Sequence, residues 1–122
     1  MLGPAEWGVH IIGARSTIYE GEHFLLHVHF TNEYPMDAPI VVFAVPSPVH
    51  EHIYSNGHIC LNILGDDWSP ALTVESICLS ILSMMSSAQV KVRPNGDERY
   101  SHTHPPGSNP KNTRWLFDDD KV

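Results

Sequence analysis

The chain has 122 residues, of which 42% are apolar and 17% are charged. That length is typical of one domain, and that balance belongs to chains that bury a core rather than remain disordered. Seven Lys and Arg side chains stand against 14 Asp and Glu, which gives a formal net charge of −7. This sign opposes binding to nucleic acid or to an anionic membrane surface, so neither is expected as a partner.

The N-terminal residues 1–6 lack the basic cluster and apolar stretch of a secretory signal. The longest uninterrupted apolar run, residues 40–45, is far too short to cross a bilayer. Cys60 and Cys78 are too few and too far apart for a secreted disulfide framework. We therefore expect one reduced domain over residues 1–122, located in the cytoplasm, the nucleus or both, with residues 100–122 the least well specified part.

Three strands and one helix are predicted in chain order. Apolar residues alternate with others over residues 7–12 and more clearly over residues 24–30, and residues 40–45 are mostly β-branched and aromatic. Their short connections favour an antiparallel meander. Apolar positions then recur at i, i+3, i+4 and i+7, which predicts an amphipathic helix at residues 73–86 with Thr73 as its N-cap. The predicted fold class is α+β.

Between residues 46 and 70, prolines and glycines interrupt any periodic pattern of apolar residues, which predicts a long loop. A nucleophilic thiol must be exposed and partly ionised, and Cys60, on this irregular segment after the turn Asn56-Gly57, meets that need. Cys78 lies in the apolar stripe of the helix and is interpreted as a core residue.

Histidines close to Cys60 leave two other interpretations open. His50, His52 and Cys60 are residue types that bind Zn²⁺, but no CxxC, HExxH or HxxxH spacing accompanies them, so no metal is expected. A Cys-His pair of protease type lacks a local signature. The HxH pairs at residues 27–29 and 102–104 are expected at the surface, the second of them in an exposed turn.

Four segments, in this order, resemble the ubiquitin-conjugating enzyme family. They are residues 19–24 (YEGEHF), 34–39 (YPMDAP), 50–61 (HEHIYSNGHICL) and 68–72 (WSPAL). The family carries His-Pro-Asn where this sequence has His50-Glu51-His52, and a histidine at the third position is similar to the W-type branch. Residues 109–119 are also similar to that branch, so the resemblance covers nearly the whole chain. It implies the fold of that family, with the meander packed on a central helix and a long active-site loop.

The resemblance implies that Cys60 receives ubiquitin as a thioester from the activating enzyme and passes it to an amine of a protein substrate. His52 would then replace the family's asparagine as the hydrogen-bond donor to the oxyanion. His50 is expected to support the loop, and Asn56 and Gly57 to form the turn that presents the cysteine. No cofactor is expected on this chain, because ATP is consumed upstream by the activating enzyme.

In many family members an acidic residue some thirty positions after the cysteine helps a substrate lysine to lose its proton. An ungapped count reaches Val92 here, and the first carboxylates come later, at Asp97 and Glu98. Without a base, the expected acceptor is an N-terminal α-amine, whose pKa is about 8 against about 10.4 for lysine. This agrees with the W-type branch, which is associated with modification of protein N-termini.

The family contacts ligases of RING or U-box type through the tip of its Tyr-Pro loop and through its Ser-Pro-Ala loop. The matching residues here are Met36, Ser69, Pro70 and Ala71. The family also begins with an amphipathic helix that contacts the activating enzyme and ligases, whereas this sequence starts near its first strand. An alternative from another class is therefore a conjugating-enzyme-like binding module with impaired charging.

Overall fold

The computed structural model describes residues 6–110, and the structural statements below concern that range. Three strands form one antiparallel sheet in the order β1-β2-β3: β1 is Glu6–Ile12, β2 is His23–His29 and β3 is Ile40–Phe43. β1 pairs with β2 along its whole length, and β3 pairs with the second half of β2. The predicted antiparallel meander of three or four strands is therefore confirmed, with three strands.

The third strand ends two residues earlier than predicted. Phe43 is its last residue, although the Ala44 N–H still donates to Leu25 O at 2.8 Å. Pro46 has no N–H to donate and restricts the conformation of the residue before it, so pairing cannot continue.

One face of the sheet is buried. Leu26 and Val28 in β2 are fully buried, as is Ile11 in β1, and all three belong to the apolar core. Trp7, which the alternation assigned to this face, is instead 53% exposed. It packs edge to face against Phe30 with 5.1 Å between ring centroids. The strand therefore approaches the core only towards its C-terminal end.

The first helix, α1, spans Val74–Ser86, as predicted. The Thr73 hydroxyl accepts the Ser76 N–H at 3.1 Å, and Ser76 Oγ accepts the Thr73 N–H at 3.3 Å. This reciprocal capping box satisfies two backbone donors that the first turn cannot pair, which explains why the helix begins at this point.

A single apolar cluster joins the sheet, α1 and the loop that contains Cys60. Its buried members outside the first two strands are Tyr19, Val41, Phe43, Ile53, Ile59, Ile77, Ile81 and Met85. Cys78 packs against this cluster but is only partly buried, less than the sequence predicted. Burial raises the pKa of the Cys78 thiol, which disfavours the reactive thiolate.

A second helix, α2, spans Asp97–Thr103, in a part of the chain where the sequence predicts only weak structure and, from residue 102, an exposed turn. Seven residues are too few to show a helical period, and Ser, His and Thr are weak helix formers, so its sequence gives little signal. Its first turn carries Asp97 and Glu98, whose charges suit the positive end of the helix dipole. Neither α1 nor any other helix within residues 6–110 has the length and apolar content needed to cross a bilayer.

Candidate active site

The loop of residues 46–70 folds back on itself before Cys60. Ile53 and Ile59 form an isolated antiparallel bridge, and the Cys60 N–H donates to His52 O at 2.8 Å. Two short segments of the loop therefore run side by side, and the backbone of His52 lies next to that of Cys60. Cys60 itself is partly exposed, and the 3-10 helix Asn62–Leu64 follows it.

Residues 54–57 form the turn between these two segments. The Gly57 N–H donates to Tyr54 O at 2.9 Å, and Asn56 Oδ1 accepts the His58 N–H at 2.9 Å. Gly57 has a φ of +98°, and a Cβ at this position would lie 2.0 Å from Phe43 O. Only glycine fits both the conformation and the space, so the structure places the expected Asn-Gly pair in this turn.

His50 connects the loop to the end of α1 and is only 2% exposed. Its Nδ1 accepts the His52 N–H at 2.9 Å, and its Nε2 donates to Met84 O at 3.1 Å, because a carbonyl can only accept. Burial lowers the pKa of His50, which keeps the imidazole neutral and suited to both bonds.

The zinc interpretation does not fit this arrangement, because both ring nitrogens of His50 are already hydrogen-bonded. Within residues 6–110, no group of three His, Cys, Asp or Glu side chains lies close enough to hold a metal ion.

The His52 side chain is 19% exposed. Its Nε2 lies 3.6 Å from Glu51 Oε1, a separation that forms an ion pair when the imidazole is protonated. Its ring centroid lies 5.5 Å from that of His50. The hydrogen bond between the backbones of His52 and Cys60 fixes the position of the His52 backbone. The imidazole is partly buried, and a small part of it is accessible to solvent.

The helix α2 packs on the loop, and its residues were not assigned a role from the sequence. Asp97 Oδ1 accepts the Ser55 N–H at 2.7 Å and the Ser101 hydroxyl at 3.0 Å. The ring of Tyr100 lies 4.1 Å from that of Tyr54, measured between centroids. An acidic pair directly after Pro-Asn-Gly is typical of a helix start and could have indicated this element.

His58 is fully buried and links the loop to the residues that follow α2. Its Nε2 donates to Ser108 O at 3.0 Å, so its Nδ1 must accept the Tyr100 hydroxyl at 2.5 Å. Burial lowers the pKa of His58, which favours the neutral ring that this pairing needs. Asn56 Nδ2 adds a 2.6 Å bond to His104 O.

Tyr54 lies within electrostatic range of both the thiol and a carboxylate. Burial raises the pKa of the Tyr54 phenol, and electrostatic interactions with Cys60 and Asp97 raise it further. Asp97 is thus the carboxylate that the fold brings back to the loop. Val92, the position that an ungapped count reaches, is instead 45% exposed.

Arg93 holds the beginning of the loop in place. Its Nη1 donates to Pro48 O at 2.8 Å and to Ile53 O at 3.1 Å, and its Nη2 donates to Ser47 O at 3.0 Å. A planar guanidinium can serve several carbonyls at once, which a lysine ammonium does less well. Nothing in the sequence around Arg93 distinguishes this role from that of an ordinary surface charge.

The two loops expected to contact partners lie side by side. Trp68 Nε1 donates to Pro35 O at 3.0 Å, which joins the Tyr-Pro loop to the Ser-Pro-Ala loop. Met36, next to that carbonyl, is 73% exposed. In the Ser-Pro-Ala loop, Ser69, Pro70 and Ala71 are also exposed. We call these four residues the two-loop surface.

Comparison with known proteins gives consistent matches. A family model described as "Ubiquitin-conjugating enzyme" matches residues 4–108. "Ubiquitin-conjugating enzyme 15" of Arabidopsis thaliana is 55% identical over 117 residues, which cover 96% of this chain and 73% of that protein. "Ubiquitin-conjugating enzyme E2 W" of Caenorhabditis elegans is 51% identical over 118 residues, which cover 96% of this chain and 76% of that protein.

Solved structures match as well. The crystal structure of ubiquitin conjugating enzyme E2 UbcA1 from Agrocybe aegerita has a TM-score of 0.82 and 41% sequence identity, and the match covers 87% of this chain and 77% of that chain. A ubiquitin conjugating enzyme E2 from Plasmodium falciparum has a TM-score of 0.68 and 45% identity over 69% of this chain and 74% of that chain. These matches confirm the predicted fold.

Proposed function

Because this chain belongs to the ubiquitin-conjugating enzyme family, we propose that Cys60 is the residue that carries ubiquitin as a thioester. Membership implies interaction with ubiquitin, the activating enzyme and ligases in general. The observation that carries the assignment is the contrast between the two thiols. Cys60 is partly exposed on a hydrogen-bonded loop, whereas Cys78 packs against the core and burial raises the pKa of its thiol.

In the proposed reaction, Cys60 Sγ attacks the carbonyl carbon of the ubiquitin thioester on the activating enzyme, and the thiolate of that enzyme leaves. An amine nitrogen of the substrate then attacks the same carbon and loses a proton to water, so that an amide bond forms and the C–S bond to Cys60 breaks with release of the thiolate. Both steps pass through a tetrahedral oxyanion that needs a placed donor.

The test of this assignment is a charging assay with activating enzyme, ubiquitin and ATP, resolved with and without reducing agent. We expect a reductant-sensitive ubiquitin adduct in the unaltered chain and in Cys78→Ala, and complete loss of it in Cys60→Ala. An adduct that persists in Cys60→Ala would overturn the assignment. Absence of the adduct from all three proteins would instead favour the binding-module alternative.

We assign the oxyanion donor to His52, because its carbonyl accepts the Cys60 N–H at 2.8 Å and its side chain is partly open. An imidazole and an amide can each donate a hydrogen bond to an oxyanion, and a methyl group cannot. His52→Asn is therefore expected to keep transfer active, whereas His52→Ala should slow it by about a hundredfold or more. Single-turnover discharge rates of the two variants would measure this, and an unchanged rate in His52→Ala would remove His52 from the mechanism.

We also propose that the two-loop surface contacts a ligase of the RING or U-box type. Its support is the hydrogen bond between Trp68 and Pro35, which holds two otherwise separate loops as one exposed surface. Met36→Ala removes its most exposed apolar side chain. This variant should accept ubiquitin from the activating enzyme normally. Its rate of ligase-stimulated discharge should fall about tenfold, which corresponds to a loss of about 1.4 kcal/mol of binding free energy at one interface residue. Unchanged stimulation would place the ligase elsewhere.

For the acceptor, we propose a protein N-terminal α-amine. The carboxylate that α2 brings back to the loop, Asp97, already accepts two hydrogen bonds through Oδ1, from Ser55 and Ser101. That arrangement suits a structural role better than removal of a proton from a lysine. An α-amine needs less help, because about a tenth of it is neutral at pH 7.

A further inference from the structure

The exposed face of the sheet carries a pair of histidines that contact each other. His10 Nε2 and His23 Nδ1 lie 2.8 Å apart, and their ring centroids are 4.8 Å apart with an interplanar angle of 34°. Both residues are exposed. The proposed ubiquitin transfer uses neither of them, and the pair belongs to the sheet rather than to the Cys60 loop.

The strand register brings this pair together. Ile12 lies opposite His23, and His10 lies opposite Leu25, so the two histidines are diagonal neighbours on adjacent strands. Since side chains alternate between the two faces of a strand, both rings project from the same face. Backbone pairing along the whole of β1 fixes the positions of the two Cα atoms that carry these rings.

The two nitrogens lie at nearly the separation expected for two ligands of one metal ion. At 2.8 Å, one ring must donate its N–H to the lone pair of the other, so a single proton lies between them. A transition metal binds imidazole nitrogen at about 2.0–2.1 Å, so two such ligands at an angle of about 90–110° are about 2.9–3.4 Å apart. Binding of a metal ion to both nitrogens therefore requires three small changes: the shared proton moves to the other nitrogen of its ring, the two nitrogens separate by a few tenths of an ångström, and the rings turn so that both lone pairs face the ion.

We propose that His10 and His23 form a two-ligand binding site for a divalent transition-metal ion, with water completing the coordination. Neutral imidazole suits Cu²⁺, Ni²⁺ and Zn²⁺, whereas Ca²⁺ and Mg²⁺ require oxygen ligands. Residues 6–110 contain no cluster of three such ligands, so this site is open rather than closed like a four-ligand structural zinc site. It joins β1 to β2 through the metal.

Two other histidines of β2 help to design the test. His29 lies 3.7 Å from the carboxylate of Glu6, so a charged neighbour complicates its use as a control. His27 lies opposite Gly8 in the register and is exposed on the same face. His27→Ala is therefore the matched control, because it removes one imidazole from this face and leaves the pair intact.

The experiment is calorimetric titration of the untagged full chain with NiCl₂, in a Cys60→Ala background that removes the exposed thiol as a competing ligand. We expect about one Ni²⁺ per chain, with an affinity that falls at least about tenfold in His10→Ala and in His23→Ala but not in His27→Ala. Because a ligand that binds only the folded state stabilises it, Ni²⁺ should also raise Tm in the parent and in the control.

Paramagnetic broadening by Ni²⁺ locates the ion without any substitution, and it should be strongest at the His10 and His23 resonances. Equal affinity in all the variants, broadening centred elsewhere, or no binding at all would each overturn the proposal. Circular dichroism of each variant shows whether it is folded, and the two single variants report on the pair independently.

Discussion

Replacement of Gly57 by alanine is expected to lower the free energy of unfolding by about 3 kcal/mol or more. The φ of +98° alone is strained for a residue with a Cβ, and the new methyl group would lie 2.0 Å from Phe43 O. Relieving that overlap requires movement of the turn, which would break the 2.9 Å bond between the Phe43 N–H and Gly57 O. Urea unfolding of the purified variant measures this loss, and the charging assay should fall with it because the turn positions Cys60.

Gly21→Ala is the matched control for this substitution. Gly21 also has a positive φ, +75°, but nothing lies within 4 Å of a Cβ at that position. Its loss should therefore be about 1 kcal/mol, the cost of the left-handed conformation alone. Equal losses in the two variants would show that the contact with Phe43 contributes nothing.

Ubiquitin carried on Cys60 is expected to transfer to a peptide α-amine about a hundredfold faster than to a lysine side chain at pH 7. At that pH roughly a tenth of an α-amine is neutral, against less than about a thousandth of a lysine, since their pKa values are about 8 and about 10.4. The ratio should shrink as the pH rises to about 9, because the α-amine is then almost fully neutral and the neutral fraction of lysine is still increasing.

The measurement uses protein that already carries ubiquitin on Cys60 and from which the activating enzyme has been removed. One peptide has a free N-terminus and no lysine, and a second is N-acetylated with a single lysine. An N-acetylated peptide without lysine gives the background hydrolysis rate. If the lysine peptide reacts as fast as the α-amine peptide at pH 7, the site itself removes the lysine proton, and the proposed preference for an α-amine is wrong.

Elements whose signal lies within a few residues were predictable from the sequence. The helix α1 combines a clear apolar period with a Thr73 cap, and the structure begins it one residue after that cap. The strand β2 was displaced by only one residue at each end. By contrast, α2 has no apolar period, and contacts with Tyr54 and Ser55 hold it in place. A reading of local pattern cannot detect such long-range support.

The candidate site divides in the same way. The turn at Asn56 and Gly57 could be expected because these residue types prefer that conformation. Arg93 and His58 could not, because their roles depend on carbonyl groups of residues more than about ten positions away, such as Pro48 and Ser108. The ungapped count from Cys60 did not reach the carboxylate that contacts the loop, for a related reason. The path of the chain into α2 determines which residue lies against the loop, and a count along the sequence cannot show that path.

The contacts of the Cys60 loop with Arg93, Asp97, Tyr100 and Ser108 have a consequence for the order of events during synthesis. A nascent chain that ends before residue 93 already contains the thiol, the sheet residues and α1, but none of these four partners. Because chains emerge at about 5–20 residues per second, the thiol exists for some time before its loop can be completed. The last-made part of the described chain therefore sets when this protein can first present its cysteine in the final geometry.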